Sequence, residues 1–168
     1  MKTIYIILIA IVLTSCSDKV LFTLSVRNDL ISKGVDLTKI QFYNDRLFTL
    51  ERDLSNSKIS ITSGKVKQLN GKRINVIAFS QFTPGILISE SNNRNEVAFE
   101  SGEGRNLSFS LNTRDGTYQL SAFNNEVIPY LGELYQITSK YDVKLMISKS
   151  SLNSIKYERT RAKGIKVN

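Results

Sequence analysis

From residue 20 onward the chain alternates apolar and polar side chains in short runs, broken every few residues by Asn, Asp, Gly or Pro. That period of two is the pattern of strands with one buried face. Residues 20–26 (VLFTLSV) read as a first strand. Asn28 and Asp29 ahead of Leu30 and Ile31 predict a capped helical turn that Gly34 ends. Residues 39–43 and 46–52 flank the turn pair Asn44 and Asp45 and read as a hairpin. In its second arm Leu47, Thr49 and Glu51 share one face, and Phe48, Leu50 and Arg52 the other. Residues 58–62 (KISIT) are a further strand, stopped by Ser63 and Gly64.

The clearest local signal is the pair of runs 65–69 and 72–79 around Asn70 and Gly71, residues that tolerate the positive φ angles of a type I′ turn. The return arm is apolar on both faces, with Ile74, Val76 and Ala78 on one and Ile77 and Phe79 on the other, which predicts a central strand. Thr83, Pro84 and Gly85 suit a turn with glycine at its positive-φ position. Residues 85–89 then resume as a strand. After the polar stretch 90–95, a strand containing Val97 and Phe99 runs to Gly102-Glu103-Gly104. Leu107, Phe109 and Leu111 alternate with Ser108 and Ser110, and across Asp115 and Gly116 the pattern returns in Tyr118, Leu120 and Ala122. These two arms predict a hairpin with one face on a core and one in water. Asn124 and Asn125 mark a turn and Pro129 a break, followed by strands at 131–138 and 141–148 with Lys140 between them. Residues 151–168 read either as a short helix capped by Ser151 or as a strand over 156–161. The whole predicts an all-β chain, an antiparallel β-sandwich or small barrel with at most one or two short helices.

The first sixteen residues depart from that pattern. Lys2 precedes an apolar run, residues 4–13, in which only Tyr5 carries a polar tip; Thr14 and Ser15 follow, then the single cysteine of the chain, Cys16. The order of positive charge, apolar stretch and small residues is that of a secretory signal. The run is too short for a membrane span, which needs about 20 apolar residues. With Leu13 three positions before the cysteine, Leu13-Thr14-Ser15-Cys16 resembles the lipobox of bacterial lipoproteins. The resemblance implies cleavage between Ser15 and Cys16 and fatty acyl chains, such as palmitate, on Cys16. Two or three such chains hold a protein on a bilayer at about 0.8 kcal/mol per buried methylene. Ser17, rather than Asp, after the cysteine implies the outer membrane, with the periplasmic face favoured over the cell surface. An ordinary signal peptide, removed without lipid, is the competing reading. The expected organisation is thus a signal peptide at 1–15 and one β-rich domain at 16–168 with an acylated N-terminus and a basic C-terminal tail.

Composition narrows the chemistry. The chain has 23 basic and 15 acidic residues, and loss of Lys2 with the signal leaves it basic. In an envelope setting that charge favours anionic headgroups, anionic cell-envelope polymers or an acidic protein over nucleic acid. There is no histidine, which removes Ser-His-Asp and Cys-His catalysis. With Cys16 acylated, no thiol remains for a disulfide or a Cys-rich metal site. No cofactor, metal or catalytic residue is expected. Lys156, Arg159, Arg161, Lys163 and Lys166 crowd the C-terminal segment and could dock on an anionic surface. Tyr130 and Tyr135, near Pro129 and Gly132, are expected to present an exposed contact surface, since tyrosine combines area with a polar tip. Glu96, Glu100 and Glu103 form an acidic cluster whose spacing is equally that of a solvated strand end. The expected function is a non-enzymatic interaction module of the envelope, such as an accessory part of a secretion assembly. A carbohydrate- or cell-wall-binding module, a carboxylate-based hydrolase and a small-ligand carrier remain as alternatives.

Overall fold

The Thr23 hydroxyl sets where the first strand stops. In the computed structural model, which describes residues 18–54, 64–69, 72–122, 127–139 and 142–153, strand β1 is Lys19–Leu21 and helix α1 is Leu24–Ser32. The expected strand at 20–26 is therefore only half a strand. Thr23 Oγ1 accepts the Val26 N–H at 3.2 Å, which satisfies an otherwise unpaired donor of the first helical turn. Arg27 and Leu30 of α1 turn inward. Gly34, at φ +74°, closes the helix as expected, its N–H donating to Ile31 O at 2.9 Å.

A 3-10 turn at Leu37–Lys39 leads to β2 (Phe42–Asn44) and β3 (Phe48–Asp53). These two do not form a hairpin. Asn44 is fully buried and its Nδ2 donates to Arg46 O and to Ser80 O, both at 2.7 Å. Asp45 N–H donates to Lys144 O at 2.9 Å, and Asp45 Oδ1 accepts the Lys144 N–H at 2.7 Å. The chain is thereby turned from one sheet into the other at this corner. Tight-turn residues serve a corner and a hairpin equally well, so the local pattern could not separate them.

The remaining elements are β4 (Lys65–Leu69), β5 (Lys72–Phe79), β6 (Pro84–Glu90), β7 (Arg94–Ala98), β8 (Asn106–Leu111), β9 (Tyr118–Leu120), β10 (Val127–Tyr130), β11 (Glu133–Thr138), β12 (Leu145–Ser148) and a short helix α2 (Lys149–Asn153). Among the described residues they make two antiparallel sheets, one of seven strands in the order β1-β12-β2-β6-β7-β8-β9 and one of five in the order β10-β11-β3-β5-β4. The fold is an all-β sandwich. The larger sheet curls until β9 touches the segments beside β1 and β12. Thr23 bridges Thr117, Gln119 bridges Lys144, and Leu120 N–H donates to Val143 O at 2.8 Å. Single bridges stand there in place of a continuous ladder, so the sheet is not a closed barrel.

Both sheets feed one core. Phe48 and Phe79, cross-strand partners on β3 and β5, stack with ring centroids 4.6 Å apart, and Phe22, Phe42 and Tyr118 pack from the larger sheet. β5 lies between β3 and β4, as its two apolar faces predict. The β4–β5 pairing runs to Leu69 opposite Lys72, consistent with a two-residue connection; Asn70 and Gly71 themselves lie outside the described residues. So do residues 58–62, Asn124, Asn125, Lys140 and Tyr141. The β8–β9 hairpin is present with Leu111 opposite Tyr118.

Two punctuation signals fall elsewhere than expected. Pro84 and Gly85 are strand residues of β6, and the positive φ belongs to Phe82. Gly85 is required by space: a Cβ there would sit 2.8 Å from both Val97 and Phe99. Pro129 lies inside β10, an edge strand, where the missing N–H leaves no ladder bond unmade. The turn comes at Leu131 and Gly132, both with positive φ, as a type I′ connection requires.

Candidate functional site

Strand β1 meets β12 at the point where the described chain begins. Lys19 pairs with Ser148, and the Lys149 N–H donates to Asp18 O at 2.7 Å. The Lys19 ammonium bonds Asp18 Oδ1 at 2.8 Å and holds that carboxyl below its ordinary range. Cys16 is two residues earlier, so its sulfur-bearing residue can lie no more than about 7 Å of chain from Asp18. Ser15, Cys16, Lys156, Arg159, Arg161, Lys163 and Lys166 lie outside the described residues. The segment that holds those five basic side chains follows α2, which itself starts beside Asp18.

Tyr130 and Tyr135 are not an exposed surface; they are 1 % and 2 % exposed. The reason is the pleat. Tyr135 stands opposite Ile128, and Tyr130 alternates with outward-facing Pro129, so both rings point into the sandwich and meet edge to face with centroids 6.2 Å apart. Arg52 covers Tyr135, its guanidinium carbon 5.6 Å from the ring centre, and bonds Glu133 at 2.7 Å. The Tyr130 hydroxyl donates to Glu100 Oε2 at 2.9 Å. Burial, reinforced by that carboxylate, pushes the phenol far above its ordinary value, which keeps it a hydrogen-bond donor.

Beside Tyr130 lies a cleft of about 410 Å³. Its floor is the outward face of β7 and β8, and its wall is Ile128, Pro129 and Tyr130 of β10. Arg94, Glu96, Asn106, Ser108 and Ser121 supply the polar groups. Asn106 Nδ2 donates to Glu96 Oε2 at 2.9 Å, and Arg94 Nε lies 3.7 Å from Glu96 Oε1. Ser108 Oγ is buried and has no hydrogen-bond partner among the described residues. The strand register explains the grouping, because Glu96 pairs with Ser108 and Arg94 with Ser110, which places their side chains on one face. The sequence announced the small polar face of Ser108 and Ser110. It did not reveal that β10 would fold against that face, since the contact joins distant segments.

The acidic cluster is divided by the same geometry. Glu96 is the only carboxylate among the cleft's lining residues; Glu100 is tied to Arg105 Nη1 at 2.7 Å and to Tyr130; Glu103 is exposed in the turn between Gly102 and Gly104. A cleft of donors around one carboxylate can hold a ligand rich in hydroxyls or a small anion. It does not offer two facing carboxylates for acid and base roles.

A polar knot around the buried Arg27 joins α1 to the larger sheet. Arg27 donates through Nη1 to Asn92 Oδ1 at 2.8 Å and through Nη2 to Glu90 Oε2 at 3.2 Å, while the Tyr118 hydroxyl donates to Asn92 O at 2.7 Å. These bonds fix the helix on the sheet and are structural. Among the described residues no helix is long and apolar enough to cross a membrane, and no group of three or more acidic or cysteine side chains could hold a metal ion. No protein-family model, curated protein or solved structure matches the chain.

Proposed function

We propose that this chain is a lipid-anchored envelope lipoprotein whose β-sandwich works as a non-enzymatic interaction module. The observation that carries the reading is the charged, apolar and small-residue order of residues 1–16 ending in Cys16. Among the described residues the first strand begins at Lys19, three residues past Cys16, the residue that the lipobox pattern makes the mature N-terminus. Acyl chains on Cys16 hold the sandwich against the outer membrane, on its periplasmic face, within reach of an envelope assembly or an anionic envelope polymer. The test is mass analysis of the N-terminus of the native protein, joined to crosslinking and affinity purification from native membranes with Cys16→Ala as the unanchored control. Acylated Cys16 and a defined set of envelope proteins recovered only with the anchored form support the reading. An unmodified Cys16, or a protein that comes up alone from both preparations, sinks it.

The cleft favours a second reading, a module that binds a saccharide of the cell wall. Arg94, Asn106, Ser108 and Ser121 are donors suited to sugar hydroxyls or carboxylates. Titration of the domain with cell-wall glycan fragments decides it: binding that Arg94→Ala weakens supports the reading, and no binding to any fragment removes it.

A further inference from the structure

The outward face of the larger sheet next to the anchor point is apolar. Leu21 stands opposite Met146, Met146 opposite Tyr43, and Tyr43 opposite Pro84, so these four side chains form one lateral row across β1, β12, β2 and β6. The row behind it, Val20, Ile147, Phe42 and Gly85, is the one that faces the core. Along β6 the outward row continues through Ile86 and Ile88, which are 55 % and 54 % exposed while Leu87 between them is buried. Phe82 belongs to the same surface, since the Lys19 ammonium lies 4.6 Å from the Tyr43 ring centre and 5.0 Å from that of Phe82. A sheet face turned to water carries polar side chains, as β7 and β8 do with Glu96, Ser108 and Ser110. On this one the polar pair Lys19 and Ser148 stands at the border, and the rows beyond it through Leu21, Met146, Tyr43, Ile86 and Ile88 are apolar.

We infer that this face, Leu21, Tyr43, Phe82, Ile86 and Ile88 with Lys19 at its edge, rests in the headgroup layer of the bilayer that holds the acyl chains. The inference builds on the lipid anchor of the proposed function. Two features choose a bilayer as the occupant. Cys16 is two residues before Asp18, which adjoins Lys19 on that face, so acyl chains inserted in a membrane bring the bilayer to it within about 7 Å of chain. The surface also has the composition of an interfacial contact: aliphatic tips, aromatic rings and a lysine that lies over those rings with its ammonium held by Asp18 at the edge. An apolar face of this kind sinks about 5–10 Å into the boundary between headgroups and acyl chains.

The chain has no tryptophan and one cysteine, which makes the test direct. Single Ile86→Trp, Ile88→Trp and Leu134→Trp variants of the chain from Cys16 onward are coupled through Cys16 to a maleimide phospholipid in phosphatidylethanolamine and phosphatidylglycerol vesicles, with and without brominated acyl chains. Leu134 is 64 % exposed on the other sheet and serves as the control. The expected result is a shift to shorter wavelength and bromine quenching for Ile86→Trp and Ile88→Trp, and a water-like, unquenched signal for Leu134→Trp, with unchanged circular dichroism in all three. Equal, water-like emission from all three positions overturns the inference, as does a shift that appears only when membrane proteins are added, which would assign the face to a protein partner. Because the maleimide lipid supplies the anchor, this outcome is independent of whether the native Cys16 proves to be acylated.

Discussion

Tyr130 and Glu100 share a hydrogen bond of 2.9 Å that ties edge strand β10 to the turn after β7, and Arg105 holds the same carboxylate oxygen at 2.7 Å. Because the phenol is buried, Tyr130→Phe keeps the packing and removes only this bond. The expected cost is about 1–2 kcal/mol in urea unfolding with an unchanged slope. Tyr130→Ala also empties the space and is expected to cost about 3–5 kcal/mol.

Asn44 is the hinge pin of the corner between the sheets. Asn44→Ala leaves the Arg46 carbonyl without the Nδ2 donor, while Ser80 O keeps the Thr83 hydroxyl at 2.8 Å. Stability is expected to fall by about 1–3 kcal/mol, measured by chemical denaturation.

At Gly85 the restriction is spatial. Its φ is not positive, so alanine is acceptable to the backbone, yet the added methyl meets Val97 and Phe99 at 2.8 Å. Gly85→Ala is expected to destabilise by about 1–3 kcal/mol through overpacking, and Gly85→Ala with Val97→Ala to recover part of that loss.

Asp115 governs an acid response. The Lys144 ammonium at 2.7 Å, joined by the Thr117 hydroxyl and N–H, brings its carboxyl from 3.8 down to about 2. A carboxyl depressed in the folded state supports folding above its unfolded value, and that support is withdrawn as pH falls through the folded value. The Tm difference between the wild type and Asp115→Asn is therefore expected to be full above about pH 4 and to close toward about pH 2.

How much of this was legible beforehand depended on range. Period-two runs such as Leu107-Ser108-Phe109-Ser110-Leu111 carry their own face assignment, and the β4–β5 and β8–β9 pairings joined neighbours in sequence. Thr23 was misread because VLFTLSV alternates well, whereas the cap depends on where the Thr23 hydroxyl finds a donor. Tyr130 and Tyr135 were assigned to the surface because tyrosine type says nothing about pleat parity, which Ile128 and Pro129 settle only once β10 pairs with β11. The cleft and the apolar row were out of reach for one reason: each is assembled from strands whose pairing no local pattern specifies. The row alone gathers residues from Leu21 to Met146.

The pairing of β1 with β12 bears on how the chain reaches its fold. Among the described residues the strand at Lys19–Leu21 has its only ladder partner in the strand Leu145–Ser148, so the larger sheet cannot be completed until nearly all of the polypeptide has been synthesised. Contacts that close so large a loop form late and slowly. A newly made chain thus keeps β1 unpaired until β12 has been made, and under the lipoprotein reading proposed above that unpaired chain is the form a translocation channel can thread.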